Sequence, residues 1–474
     1  MTGSPAPTPL DFSQIRQRLA GKEGVTYWRS LDELADTYEF QEYLRKEFPR
    51  QAAPLESGVD RRDFLKLLGA SMALAGLSAC ARPPMAHEKI VPYVRQDDEI
   101  TPGKPLFFAT AVTYGGYAEG VLAESHQGRP TKLEGNPDHP ASLGATGAVT
   151  QAQVLNLYDP DRSQVVMQGE NESSWQAFTE ALAAALASSP EGAGLALLTE
   201  HVTSPTLAGQ LAQFQATYPQ ARWFQYDTLH QDNVVAGARL AFGSDVLPVY
   251  DFGSADVVLS LDSDFLDEGP GRLAYARAFA DRRRVLAASD SMNRLYQLET
   301  SPSATGTLAD HRIALKPSSV AAAAAAIAAA VGVAGAATTA LPAGLSQERF
   351  DALVADLQGA GAAALVVAGD SQPAVVHALA AAMNEALGSV GTTVSYIPSV
   401  SARPAVHVEE LAELTTALRT GDVTNLIIIG ANPAYTAPAD LEFATALSQA
   451  QFSAHLGHYR DETGMLCDWH VPQT

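Results

Sequence analysis

The chain has 474 residues, 46% of them hydrophobic, and a mean hydropathy of −0.03, enough for about two or three domains with a sizeable core. A formal charge of −22 excludes nucleic acid, whose phosphates would be repelled, and fits a solvated outer surface or docking onto a basic partner. The two cysteines, Cys80 and Cys467, are too few for a disulfide framework. They are also too few for an iron–sulfur cluster, which takes about four thiolates.

Residues 1–55 form a polar preface with helical signals. Ser30-Leu31-Asp32-Glu33 has the form of a capping box. Phe40, Tyr43, Leu44 and Phe48 then place an apolar stripe on one helix face, stopped by Pro49. Two readings stand for this preface: a disordered leader, or a short helical arm that docks aromatic side chains onto a partner.

Residues 56–82 hold Arg61-Arg62-Asp63-Phe64-Leu65-Lys66 and an uncharged run from Leu67 to Cys80. Twin arginines, Phe-Leu-Lys and a short apolar segment have the form of a twin-arginine export signal. The run matches a signal h-region and is short for a membrane span. Its ending, Leu77-Ser78-Ala79-Cys80, fits a lipoprotein acceptor site, which makes Cys80 the lipidation candidate. About sixty residues precede the arginines, an unusual position for a signal.

The preface resolves that position. Tyr27 to Asp36 and Glu47-Phe48-Pro49, followed by Arg61, Arg62, Phe64, Leu65 and Lys66, resemble the extended twin-arginine leader of one family. This is the molybdopterin-oxidoreductase-like iron–sulfur B subunit of alternative complex III, a quinol-oxidising membrane complex. The resemblance implies export to the extracytoplasmic, periplasmic face of the cytoplasmic membrane. It also implies partnership with a multihaem c-type cytochrome and integral membrane subunits.

Residues 83–165 read as a small strand-rich entry region. Phe107–Val112 and Tyr117–Glu124 have strand composition, separated by the turn signal Tyr114-Gly115-Gly116. Glu134-Gly135-Asn136-Pro137-Asp138-His139-Pro140 forms a tight turn with polar groups displayed on it. With Leu157 to Arg162 downstream, it is similar to the N-terminal region of bis-molybdopterin oxidoreductases. Catalytic members carry a cysteine cluster here, whereas Thr110 to Tyr117 and Ser142 to Gly147 contain no cysteine.

Residues 166–474 alternate helix and strand. Trp175–Ala187 reads as an amphipathic helix. Apolar strands are expected at Leu195–Leu198, Val257–Leu261, Val285–Ala288, Leu365–Ala368 and Leu426–Ile429. Continuous apolar strands between helices imply parallel sheets covered on both faces, with ligands beyond the strands' carboxyl ends. The uncharged run Val320–Gly344 reads as a buried or half-buried helix, because alanine drives membrane insertion weakly. Gly430-Ala431-Asn432-Pro433, after the clearest strand, resembles the Gly-x-Asn-Pro turn that lies near the pterin dinucleotide in molybdopterin oxidoreductases.

The expected fold is therefore α/β: molybdopterin-oxidoreductase-like parallel sheets with flanking helices, a small strand-rich region and a helical leader. Gly135, Asn136, Asp138, Gly430, Asn432 and Pro433 are the candidates for a vestigial pterin pocket. No catalytic residue and no metal ligand are expected. His455, His458, Asp461 and Glu462 read as a turn rather than a metal site. Asp262, Asp264, Asp267 and Glu268 read as a solvated acidic loop rather than a magnesium site.

The resemblance further implies that this stretch carries no cofactor of its own. The [4Fe–4S] and [3Fe–4S] clusters would lie beyond Thr474 or on a partner chain, the chain being a fragment or half of a split subunit. The leading expectation is an extracytoplasmic scaffold portion of an electron-transfer subunit. A molybdenum bis-pterin oxidoreductase of the polysulfide or thiosulfate reductase type and a lipid-anchored, non-redox binding protein are the alternatives.

Overall fold

The computed structural model describes residues 100–473, apart from Pro102 and residues 337–339. All described residues belong to one unit, Asp97–Thr474. The capping box, the aromatic stripe, the twin-arginine residues Arg61, Arg62, Phe64, Leu65 and Lys66, and Cys80 lie outside them.

The chain opens with an antiparallel sheet of β1 (Leu106–Tyr114), β2 (Tyr117–His126) and β3 (Arg129–Gly135). Gly115 and Gly116 both take positive φ (54° and 78°), which a two-residue turn twisted to match its strands requires. A short helix follows, α1 (Ala148–Ala152), then the strand pair β4 (Met167–Gln168) and β5 (Asn171–Glu172). Helix α2 occupies Trp175–Ala187, as its periodicity predicts, and Ser174 caps it by accepting from the Ala177 amide.

Next come β6 (Leu195–Thr199), α3 (Pro205–Thr217), β7 (Arg222–Gln225), α4 (Asp232–Phe242), β8 (Val246–Tyr250) and β9 (Val257–Leu261). These lead to α5 (Arg272–Arg282), β10 (Arg294–Glu299), α6 (Ala304–Thr307), β11 (His311–Ala314), α7 (Pro317–Ala330) and α8 (Gln347–Ala360). The middle of the chain ends with β12 (Ala364–Ala368), α9 (Ala374–Ala386) and β13 (Val394–Pro398). The last stretch holds α10 (His407–Thr420), β14 (Asn425–Ile429), α11 (Pro433–Thr436), α12 (Phe443–Leu447), β15 (Phe452–Gly457), α13 (Glu462–Leu466) and β16 (Trp469–Pro472).

Two sheets organise these elements. The larger has the order β5-β4-β16-β15-β14-β6-β7, and its strands from β16 to β7 run parallel. The smaller, β11-β10-β9-β12, is wholly parallel and lies within the sequence that separates β7 from β14. Every residue of β6, β9 and β12 is buried and all but Thr199 and Ser260 are apolar, so these strands do not alternate. One face of the smaller sheet packs on α7, α8 and α9 through Val320, Ile327, Leu353, Leu357 and Met383. Its other face meets Phe252, Phe265 and Phe279.

Helix α7 covers the start of the alanine-rich run, with Val320, Ala323, Ala324, Ile327 and Ala328 buried against the sheet. No helix among the described residues is long and apolar enough to cross a membrane.

One expected strand is wrong. Val285–Ala288 is irregular chain after α5, with Val285 and Leu286 exposed and the Leu286 and Ala287 amides held by Asp290. The strand is β10, whose Arg294, Gln297 and Glu299 hide it from an apolar count. Glu299 is buried because it pairs with Arg312 and accepts from Ser303 Oγ at 2.6 Å.

Candidate functional site

In open parallel sheets a ligand crevice forms where the strand order reverses, beyond the carboxyl ends. The larger sheet reverses between β6 and β14, the smaller between β9 and β12. At both places two strand-end segments come into close contact. A Cβ on Gly430, after β14, would meet Glu200 Oε2 at 2.8 Å. A Cβ on Gly369, after β12, would meet the Asp262 carbonyl oxygen at 1.9 Å, so only glycine fits there.

The acidic loop, expected to be solvated, instead has Asp262 and Asp264 half-buried and engaged with the chain. Asp262 accepts from the Thr300 amide and from Gln372 Nε2, both at 2.8 Å. Asp264 accepts from the Thr305 amide at 2.8 Å and the Ala304 amide at 3.2 Å, seating a carboxylate on the first turn of α6. Asp232 does the same for α10, accepting from the amides of His407 at 2.8 Å and Val408 at 3.0 Å. The chain's own carboxylates thus occupy helix N-termini of the kind that bind phosphate in nucleotide-binding folds.

The two predicted turns are likewise committed internally. Asn136 Oδ1 accepts from the Asp138 amide at 3.0 Å, and the Asn136 carbonyl accepts from His139 and Gly144. Gly135 abuts the backbone of Ala145 too closely for any Cβ, while Asp138 is exposed. Asn432 donates Nδ2 to Glu462 Oε2 at 2.8 Å and accepts on Oδ1 from Thr463 Oγ1 at 2.7 Å. Pro433 is buried at the start of α11. Neither turn lines the large cleft, and no hydrogen bond joins them among the described residues.

That cleft is assembled from segments far apart in sequence and has two arms. The polar arm, about 330 Å³, is bounded by the β1–β2 turn, by Leu229–Gln231, by Glu268–Arg272 and by Asp370. The apolar arm, about 300 Å³, runs past Tyr250, Phe265 and Tyr275 to Ile397 and Val400. Tyr117, Gln231, Glu268 and Asp370 border both arms. Tyr117 donates to Gln231 Oε1 at 3.1 Å, and Gln231 Nε2 donates to Asp370 Oδ2 at 3.1 Å. Burial and the Asp370 charge push the Tyr117 hydroxyl up to about 12, so it remains a proton donor. Burial and then the carboxylates of Asp264, Asp370, Asp267 and Asp262 raise the pKa of Glu268.

Arg272 is the arginine of the polar arm, and its charge is already matched. It pairs with Glu119, lies over the Tyr114 ring at 4.9 Å and fills the space above Gly147. Three imidazoles gather at the polar arm, which His230 lines: the His201 and His407 centroids are 5.5 Å apart, those of His230 and His407 6.2 Å. His407 Nδ1 accepts from the Asp227 amide at 3.0 Å, and burial lowers its pKa to about 4. His230 Nδ1 lies 3.3 Å from Asp232 Oδ1, out of hydrogen-bond line, and Asp232 raises its pKa. No group of three metal-ligating side chains forms among the described residues.

His455 and His470, on adjacent strands β15 and β16, face each other with their Nδ1 atoms 3.1 Å apart. His470 Nε2 meets Ser163 Oγ at 2.7 Å, and burial holds both rings down at about 4. Asp461 caps α13 by accepting from the Gly464 amide and Glu462 holds Asn432, whereas His455, expected in a turn, lies buried within β15. Cys467 is in the core, its thiol raised to about 12 by burial, and is not poised as a metal ligand.

Sequence reasoning placed the apolar strand Leu365–Ala368 just ahead of Asp370 but missed Tyr117, Gln231 and the Glu119–Arg272 pair. The available signal was position: His201, Asp227 and Asp370 each follow a strand of the two parallel sheets within a few residues.

The architecture is that of molybdopterin-oxidoreductase-like α/β proteins: parallel sheets, flanking helices and a small antiparallel region. Acetylene hydratase from Pelobacter acetylenicus shares the fold, with a TM-score of 0.53 and 15% identity over 76% of this chain and 62% of that one. In sequence, the chain is 25% identical over 459 residues to the menaquinone reductase, molybdopterin-binding-like subunit of Nitratidesulfovibrio vulgaris. That match covers 87% of this chain and 65% of the relative, so the chain spans about two thirds of the relative's length. No protein-family model matches the chain.

Proposed function

We propose that this chain is the scaffold portion of an electron-transfer subunit in a quinone-linked respiratory complex. The observation that carries the reading is the match along 87% of the chain to a molybdopterin-binding-like subunit of a menaquinone reductase. The finer reading is a complex resembling alternative complex III, on the periplasmic face of the membrane. Its partners would be a multihaem c-type cytochrome and integral membrane subunits, reached by twin-arginine export through Arg61 and Arg62. The acidic surface supports contact with a basic cytochrome.

Within that complex this stretch holds the fold and docks neighbours without binding a pterin dinucleotide. Carboxylates seated on the first turns of α6 and α10 and an arginine already paired with Glu119 support this. A pyrophosphate entering the cleft would face Glu268 and Asp370 with no unmatched arginine or lysine in the lining. Any iron–sulfur clusters of the assembly then belong to a neighbouring chain or to residues outside this sequence.

The test is purification of the tagged chain from membranes of its own host. Haem c absorbance and quinol-dependent cytochrome reduction should co-purify with it. Recovery of the chain alone from the soluble fraction, with neither property, would overturn the assignment.

A further inference from the structure

We infer that the apolar arm of the cleft is a binding site for a flat aromatic molecule, neutral or cationic, that donates hydrogen bonds. The inference rests on the reading that no pterin dinucleotide fills the cleft. A volume of about 300 Å³ lies at the lower end of ordinary small-molecule pockets and suits two or three fused rings. Tyr250, Phe265 and Tyr275 supply aromatic wall, and ring stacking or edge contact favours a flat guest.

Asp370, Glu268 and His377 bring acceptors to this arm, beside the Tyr250 and Tyr275 hydroxyls, which keep their protons. Asp370 Oδ2 is engaged by Gln231, whereas Oδ1 accepts from no described residue. Glu268 stands beside it. His377, on α9, has Nε2 buried and unpartnered. Burial lowers the pKa of its ring, which favours the neutral form. The Tyr117 hydroxyl, a donor, is spent on Gln231. No arginine or lysine lines the arm. A guest that brings N–H or O–H groups satisfies these acceptors, whereas an anionic guest meets only carboxylates. A cationic ring gains further from the aromatic faces.

The test uses two fluorescent probes and one control on the full chain. Proflavine is flat, cationic and carries two amino groups; 2,6-dihydroxynaphthalene is flat, neutral and carries two hydroxyls. Naphthalene-2-carboxylate, flat, of similar size and anionic, is the control. Both probes should bind saturably with one site per chain, and the naphthoate should not. Asp370→Asn should weaken both at least tenfold. Val249→Trp, at the mouth on β8, should abolish binding while the circular dichroism spectrum and melting temperature stay unchanged.

Failure of the neutral probe to bind would overturn the inference, as would binding indifferent to both variants, which marks adsorption of a cation to an acidic surface. Pterin extraction from the same preparation separates the two readings. Pterin found means the scaffold reading has failed; no pterin and no probe binding means that only this inference has.

Discussion

Arg272 offers the sharpest test of the physical account. Its side chain is only 8% exposed and that of its partner Glu119 13%, and the pair joins β2 of the entry sheet to the first residue of α5. Arg272→Met leaves the Glu119 carboxylate buried with Thr150 Oγ1 as its other partner. Removing one member of a buried pair strands the other charge, at about 3–5 kcal/mol. The arginine's stacking on Tyr114 and its packing over Gly147 are lost as well.

Thermal unfolding followed by circular dichroism should therefore show a midpoint lower by several degrees. Glu119→Leu combined with Arg272→Met removes both charges and should recover most of that loss, since apolar replacement of an entire buried pair is often nearly neutral. A single variant within about 1 kcal/mol of the parent, or a double variant no better than the single, would refute the reasoning.

Three further outcomes follow from the same geometry. Asn432→Ala cuts the bonds that tie the turn after β14 to Glu462 and Thr463, and should destabilise by about 1–3 kcal/mol in chemical denaturation. His455 and His470 titrate near 4 in the fold against an ordinary 6.5, so unfolding takes up protons. Their stability contribution is complete above about 6.5 and lost as pH falls toward 4; His455→Asn should flatten that part of the stability–pH curve. Cys467, buried with its thiol near 12, should resist iodoacetamide in the folded chain and label after denaturation, as read by peptide mapping.

Much of the fold was legible because its central strands are apolar on both faces. The expected strands at Leu195, Val257, Leu365 and Leu426 fall on β6, β9, β12 and β14, and the Trp175–Ala187 helix has the observed bounds. Strand β10 escaped notice because its polar residues are buried by partners distant in sequence, notably Arg312 for Glu299. A single stretch cannot display that compensation.

The site was less legible for the same reason. The turns at Gly135 and Gly430 were recognisable from local chemistry, yet their asparagines serve the turns themselves. The cleft depends on Tyr117, Gln231, Glu268 and Asp370 meeting, and only the two-sheet topology brings them together.

The central claim is that a molybdopterin-oxidoreductase-like fold works here without a pterin of its own. The direct measurement is quantitative molybdenum, iron and pterin analysis of this chain, produced at full length and purified folded. The account predicts all three far below one equivalent per chain. One molybdenum with extractable pterin, or iron in stoichiometric amount, would contradict it.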